Sequence, residues 1–208
     1  MSPYVEDFDA KAKTWDDDPT KAERAMRVAE AIAAEVPSLS QARVLEYGSG
    51  TGLLGFALGP RAAHATLADT SQEMLAVARE KIRASRATHM SAVQLDLTSG
   101  ELPDTRFDLI CTLMTLHHIP DVDAILRRFF ALTSSGGTLC LCDLDREDGS
   151  FHGPGFKGHE GFDRAELAAK ISRAGFEPAR FSTPYEIVKQ TPSGTQKYPL
   201  FLAVARKG

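Results

Sequence analysis

The chain has 208 residues, 43% hydrophobic and 25% charged, the balance of an ordinary globular protein with one sizeable core, so a single domain over 1–208 is expected. Its formal net charge of -4 offers no basic surface for nucleic acid, which is therefore not an expected partner. The first residues lack the basic start and apolar centre of a secretory leader, and no apolar run is long enough for a membrane span, so a cytoplasmic location is expected.

Tyr4 to Pro19 is too polar for a core helix, yet it carries Phe8 and Trp15, which need cover, and it reads as a flap. The Asp16-Asp17-Asp18 run within it reads as a solvated face. From Thr20 to Val36, Ala22, Ala25, Met26, Ala29, Ile32, Ala33 and Val36 recur at spacings of three and four, which predicts an amphipathic helix ended by Pro37. Residues 1–40 thus form an N-terminal flap and helix.

From Arg43 strand-like and helix-like stretches alternate, the pattern of a parallel sheet covered by helices on both faces. Strands are predicted at Val44 to Tyr47, Ala65 to Asp69, Ala92 to Asp96, Phe107 to Met114 and Thr138 to Leu144. Helices are predicted at Thr51 to Leu58, after a Thr70-Ser71-Gln72-Glu73 capping box, at Asp121 to Leu132, and from Asp163 to Gly175. Arg146 to Phe162, with five glycines and no period, reads as a substrate-covering loop over 146–162. Phe181 to Lys189 and Tyr198 to Ala205, joined without a crossover helix, are expected to pair antiparallel at a sheet edge. Cys111, Cys140 and Cys142 sit in strand-like runs without metal-ligand spacing; they are expected to be buried thiols, and no metal site is expected.

The chemistry gathers at Val44-Leu45-Glu46-Tyr47-Gly48-Ser49-Gly50-Thr51-Gly52-Leu53, a strand that breaks into glycines and resumes as a helix. Glycines there allow positive φ and leave room for a ligand against the backbone. Asp69 ends the next strand seventeen residues after Gly52, where a carboxylate can accept hydrogen bonds from ribose hydroxyls, and Asp96 ends the third in the same way. A dinucleotide fingerprint would need glycine where Leu53 stands, so a nicotinamide cofactor is disfavoured.

With Glu46-Tyr47-Gly48-Ser49-Gly50-Thr51-Gly52, Ala68-Asp69-Thr70-Ser71-Gln72-Glu73-Met74-Leu75, Leu95-Asp96-Leu97, Phe107-Asp108-Leu109-Ile110 and Leu116-His117-His118-Ile119, the chain resembles the class I S-adenosylmethionine (SAM)-dependent methyltransferases, in the small-molecule branch related to ubiquinone and menaquinone biosynthesis. The resemblance implies a Rossmann-like, doubly wound α/β fold with a seven-stranded sheet of order 3-2-1-4-5-7-6, strand 7 antiparallel. It implies SAM as cofactor, S-adenosylhomocysteine as product, and a small-molecule acceptor. Glu46 would lie beneath the turn, and Gly48, Ser49, Gly50, Gly52 and Leu53 would meet the methionine and ribose parts. Asp69 would bind the ribose diol, Thr70 and Met74 would pack on adenine, and Asp96 with the Leu97 backbone would read the adenine edge. Thr112 and His117 would border the methionine moiety. The alternative is a protein of this fold that binds SAM without turnover.

Methyl transfer needs chiefly a nucleophile held in line with the sulfonium, and a base helps where a proton must leave. His117 and His118, directly after the fourth strand, are the candidate catalytic residues. His152, His159 and Glu160 lie in the glycine-rich loop within reach of a substrate. Trp15, with Phe8, Tyr4, Phe151 and Phe156, reads either as a wall of the ligand pocket, where Trp15 would touch the cofactor, or as an anchor that pins a loose segment.

Overall fold

Seven strands hydrogen-bond in the order β3-β2-β1-β4-β5-β7-β6. They are β1 (Arg43–Tyr47), β2 (His64–Asp69), β3 (Met90–Gln94), β4 (Phe107–Leu113), β5 (Thr133–Leu144), β6 (Arg180–Thr191) and β7 (Gly194–Arg206). The first five are mutually parallel, while β7 runs antiparallel to both β5 and β6. This is the sheet order and the antiparallel end expected from sequence. The coordinates are a computed structural model that describes residues 4–36, 38–191 and 194–208.

The central strands are apolar on both faces because each face carries its own core. Val44, Leu109 and Cys140 point to a core shared with α2 (Pro19–Glu35) and α3 (Leu53–Leu58). Their neighbours Leu45, Ile110 and Leu139 point to the opposite core, shared with α5 (Val122–Leu132) and α6 (Arg164–Arg173). Successive strand residues alternate sides, so a continuous apolar run fills both. α1 (Val5–Lys11) and α4 (Gln72–Ser85) complete the helices, and the three cysteines are free and buried.

Several local readings shift. Met26 is 54% exposed, and Val28 takes its place on the buried stripe of α2. Pro37, the expected helix end, lies outside the described residues. The cap of α4 is Ser71, whose hydroxyl accepts from the Met74 amide, rather than Thr70 one residue earlier. β3 stops at Gln94, so Asp96 sits two residues beyond the strand. Two of the three aspartates are not merely solvated: Asp16 accepts from the Thr51 hydroxyl and from Lys81, and Asp18 caps α2.

Candidate functional site

The carboxyl ends of β1, β2 and β4 open onto a cavity of about 750 Å³ walled on the other side by α1, α2 and the glycine-rich loop. In parallel sheets this edge is where ligands bind, because the strand ends fan into loops there. Gly48 has φ +71, and a Cβ on it would fall 2.1 Å from Thr115 Cγ2. Gly50 has φ +53 and open space beyond its Cα; a Cβ there would meet only Met74 Sδ at 3.8 Å and Trp15 Nε1 at 3.9 Å. Gly52 does something else. Its Cβ would strike Leu67 Cδ1 at 2.6 Å, so it allows α3 to pack on the sheet, and it does not line the cavity.

Two carboxylates hold this turn. Asp69 accepts from the Gly50 amide at 2.7 Å and from the Ser71 amide at 2.9 Å; burial raises its pKa, against the pull of those amides. Glu46 accepts from the Gly55 amide at 2.8 Å, and burial, the dominant influence, pushes its carboxyl up to about 8. Both line the cavity, with Gly48, Ser49, Gly50, Leu53, Thr70 and Met74. The Ser49 hydroxyl is shielded from solvent and has no hydrogen-bond partner among the described residues.

On the far side the expectations divide. Asp96 lines the cavity; burial raises its carboxyl, but bonds from the Thr98 hydroxyl and amide and the Ser99 hydroxyl outweigh that and lower it. Leu97 is wholly buried, and its amide already donates to the Tyr47 hydroxyl at 3.1 Å, so it is not presented to a ligand. Thr112 likewise faces the interior instead of the cavity. Trp15 lines the cavity beside Gly50 and is braced by Phe8, with ring centroids 5.8 Å apart, and by Lys21, whose ammonium sits 3.7 Å above it.

The histidines form the other focus. The fully buried His117 bonds through Nδ1 to Asp143 Oδ1 at 2.6 Å, and its backbone amide donates to Asp143 Oδ2 at 3.2 Å. Burial would raise the Asp143 carboxyl, but the charge and hydrogen bonds of His117, with the amide of Leu144, bring it below the usual range. An ionised Asp143 can only accept, so Nδ1 carries a proton; Nε2 has no partner among the described residues and is the atom that bears the lone pair whenever the ring is neutral. His118 is held neutral, its pKa brought down to about 3 by burial first and by His117 next. His152, stacked on Phe156 with centroids 3.9 Å apart, is lowered to about 4, also chiefly by burial. The ligand nitrogens of His117, His118 and His152 all lie within 4.8 Å of one another, a cluster the sequence spacing did not announce. Two nitrogens on one zinc-sized ion would stand roughly 3.4 Å apart. His159 and Glu160 do not line the cavity; the His159 amide donates to the His117 carbonyl at 2.8 Å and its ring bonds the Ile119 carbonyl, which ties the loop down.

Sequence reasoning missed Asp143 and Arg24. An aspartate inside Cys140-Leu141-Cys142-Asp143-Leu144 was the available signal for the first. Arg24 gave none, being one more polar residue on the outer face of an amphipathic pattern.

A family model described as a methyltransferase domain matches residues 45–139, the stretch that holds the glycine turn, Asp69, Asp96 and both histidines. Ubiquinone biosynthesis O-methyltransferase of Xanthomonas campestris is 35% identical over 121 residues, 58% of this chain and 50% of that protein. Both matches support a class I SAM-dependent methyltransferase. The ubiquinone biosynthesis O-methyltransferase of Bordetella bronchiseptica is 29% identical over 194 residues, 84% of this chain and 80% of its own. The chain spans about half the length of most of these curated relatives. The fold is shared with a SAM-dependent methyltransferase from Aquifex aeolicus, at a TM-score of 0.69 and 18% identity over 96% of this chain and 98% of that one. SAM is the cofactor of this family, and Ser49 and Gly50, an orphaned hydroxyl and an unobstructed backbone, leave room for it beside Asp69.

Proposed function

We propose that this chain moves the methyl group of SAM to a small molecule bearing an O, N, S or C nucleophile, releasing S-adenosylhomocysteine. One observation carries the reading: a single cavity is lined both by the glycine turn from Gly48 to Gly50 and by His117, whose Nε2 has no partner among the described residues. The cofactor supplies a methyl already activated on sulfur, and the rest is binding, alignment and proton removal.

Gly48, Ser49, Gly50 and Leu53 seat the cofactor's methionine and ribose portions, Asp69 accepts from the ribose hydroxyls through its remaining lone pairs, and Thr70 and Met74 cover the adenine. Asp96 stands at the adenine edge, and Trp15 closes the turn from above. Holding the acceptor in line supplies roughly 7 to 11 kcal/mol in favourable systems. His117 Nε2 takes the acceptor's proton, with Asp143 fixing the tautomer and balancing the charge that forms on the ring. His118, held neutral beside it, shapes the wall. A cytoplasmic single domain, with residues 4–17 as flap and 146–162 as a cover over the acceptor, fits the free thiols and the contacts of Tyr4 with His118 and Phe156. Among the described residues no helix is long and apolar enough to cross a membrane, and the negative formal charge argues against a nucleic-acid acceptor.

Calorimetry with S-adenosylhomocysteine tests the cofactor half: wild type binds and Asp69→Ala binds at least about tenfold more weakly. Equal binding would sink the assignment. A labelled-methyl screen over alcohols, phenols, amines, thiols and carboxylic acids tests transfer. Label that never leaves SAM would make the chain a binding protein without turnover.

A further inference from the structure

One charge in the cavity wall lacks a counterpart. Arg24 stands in the second turn of α2 and lines the cavity, its Nε is shielded from solvent, and no hydrogen bond or ion pair reaches its guanidinium among the described residues. A guanidinium does not shed its proton, so a shielded one calls for an anion. The carboxylates around it are engaged elsewhere. Asp18 bonds Thr20, Asp143 bonds His117, Asp69 bonds Gly50 and Ser71, and Asp121 caps α5 at Ala124. Lys21, one turn before Arg24, and Lys11 line the same cavity.

We propose that Arg24 anchors a carboxylate on the methyl acceptor, so that the substrate class is a small organic acid carrying its nucleophile at a distance from the carboxylate. A guanidinium presents paired N–H donors that match the two oxygens of a carboxylate. SAM has a carboxylate of its own, but α2, which carries Arg24, packs against β6 and β7 as well as α3, and β6 and β7 lie at the end of the sheet opposite to β2 and its Asp69. Arg24 therefore belongs to the acceptor half. The proposal rests on the methyltransferase reading above.

Benzoate and benzamide, matched in shape and different in charge, are titrated calorimetrically into the full chain with and without saturating S-adenosylhomocysteine. Wild type is expected to prefer benzoate by at least about tenfold, or about 1.4 kcal/mol. Arg24→Met loses the preference, Arg24→Lys keeps part of it, and both retain S-adenosylhomocysteine affinity within about threefold. Equal affinity of wild type for the two probes, or no benzoate binding at millimolar concentration, overturns the proposal whether or not the variants fold. An Arg24→Met protein that loses S-adenosylhomocysteine affinity about tenfold while keeping the benzoate preference also overturns it, because the guanidinium then serves the cofactor. Wild type that binds benzoate but not S-adenosylhomocysteine leaves the anion site standing and removes the methyltransferase reading instead.

Discussion

Asp143→Asn changes one oxygen to an amide nitrogen and nothing in size, yet the structure leaves that amide no comfortable orientation. Asp143 Oδ1 accepts from His117 Nδ1 at 2.6 Å and from the Leu144 amide at 2.8 Å, while Oδ2 accepts from the His117 backbone amide at 3.2 Å. With its nitrogen at the Oδ2 position, asparagine turns a donor toward the His117 amide and keeps the tautomer. With its nitrogen at the Oδ1 position it faces the Leu144 amide and forces Nδ1 to accept, which moves the proton to Nε2 and removes the lone pair there. Either way a buried charge-assisted bond is lost, a cost of about 1.5–3 kcal/mol in stability. Loss of an oriented base lowers kcat by about 10²- to 10⁴-fold for an acceptor that must release a proton. The assay pairs labelled-methyl turnover on the acceptor found by screening with calorimetry of S-adenosylhomocysteine, whose affinity is expected to hold. A destabilised Asp143→Asn protein with wild-type kcat would refute the reasoning and leave the pair a purely structural one.

Three further outcomes are expected. Glu46 has a folded pKa raised to about 8 from an unfolded value near 4.5, so the native state holds the extra proton and stability falls as pH rises between those values, at up to about 1.4 kcal/mol per pH unit. Thermal unfolding of Glu46→Gln across this range should show a flatter slope, and parallel curves would disprove the assignment. Gly48→Ala places a Cβ 2.1 Å from Thr115 Cγ2 at φ +71, and the backbone conformation alone costs about 1–2 kcal/mol; a melting temperature and S-adenosylhomocysteine affinity equal to wild type would contradict this. Prolonged chelation is expected to leave turnover intact if His117 works as a bare base, as proposed. Activity lost to a chelator and restored by a zinc-class ion would show that His117, His118 and His152 ligate a metal.

The strands were legible because parallel strands buried on both faces write themselves as apolar runs at regular spacing, and the absence of a crossover helix before Tyr198 marks the antiparallel end, whereas their order was implied by the family resemblance. Gly50 and Asp69 were legible because their places follow from where strands end. Gly52 and Leu97 show the limit: sequence position put them near a ligand, whereas Leu67 and the Tyr47 hydroxyl occupy the space and the amide respectively. Ser71 took the cap from Thr70 because the two hydroxyl residues are adjacent and only geometry selects the one facing Met74. Asp143 and Arg24 were illegible for a common reason. What distinguishes each is what faces it across the fold, His117 twenty-six residues away for one and no described partner for the other.

The flap is fastened to the same turns that would hold the cofactor. Asp16 bonds Thr51 beside the glycines, and Asp9 bonds Ser71 beside Asp69. Spent cofactor cannot leave by that side without breaking both, so a cycle that uses this exit would include an opening whose speed is independent of the acceptor. Where transfer is faster than that opening, different acceptors would turn over at one common rate and differ only in how little of each is needed to reach it.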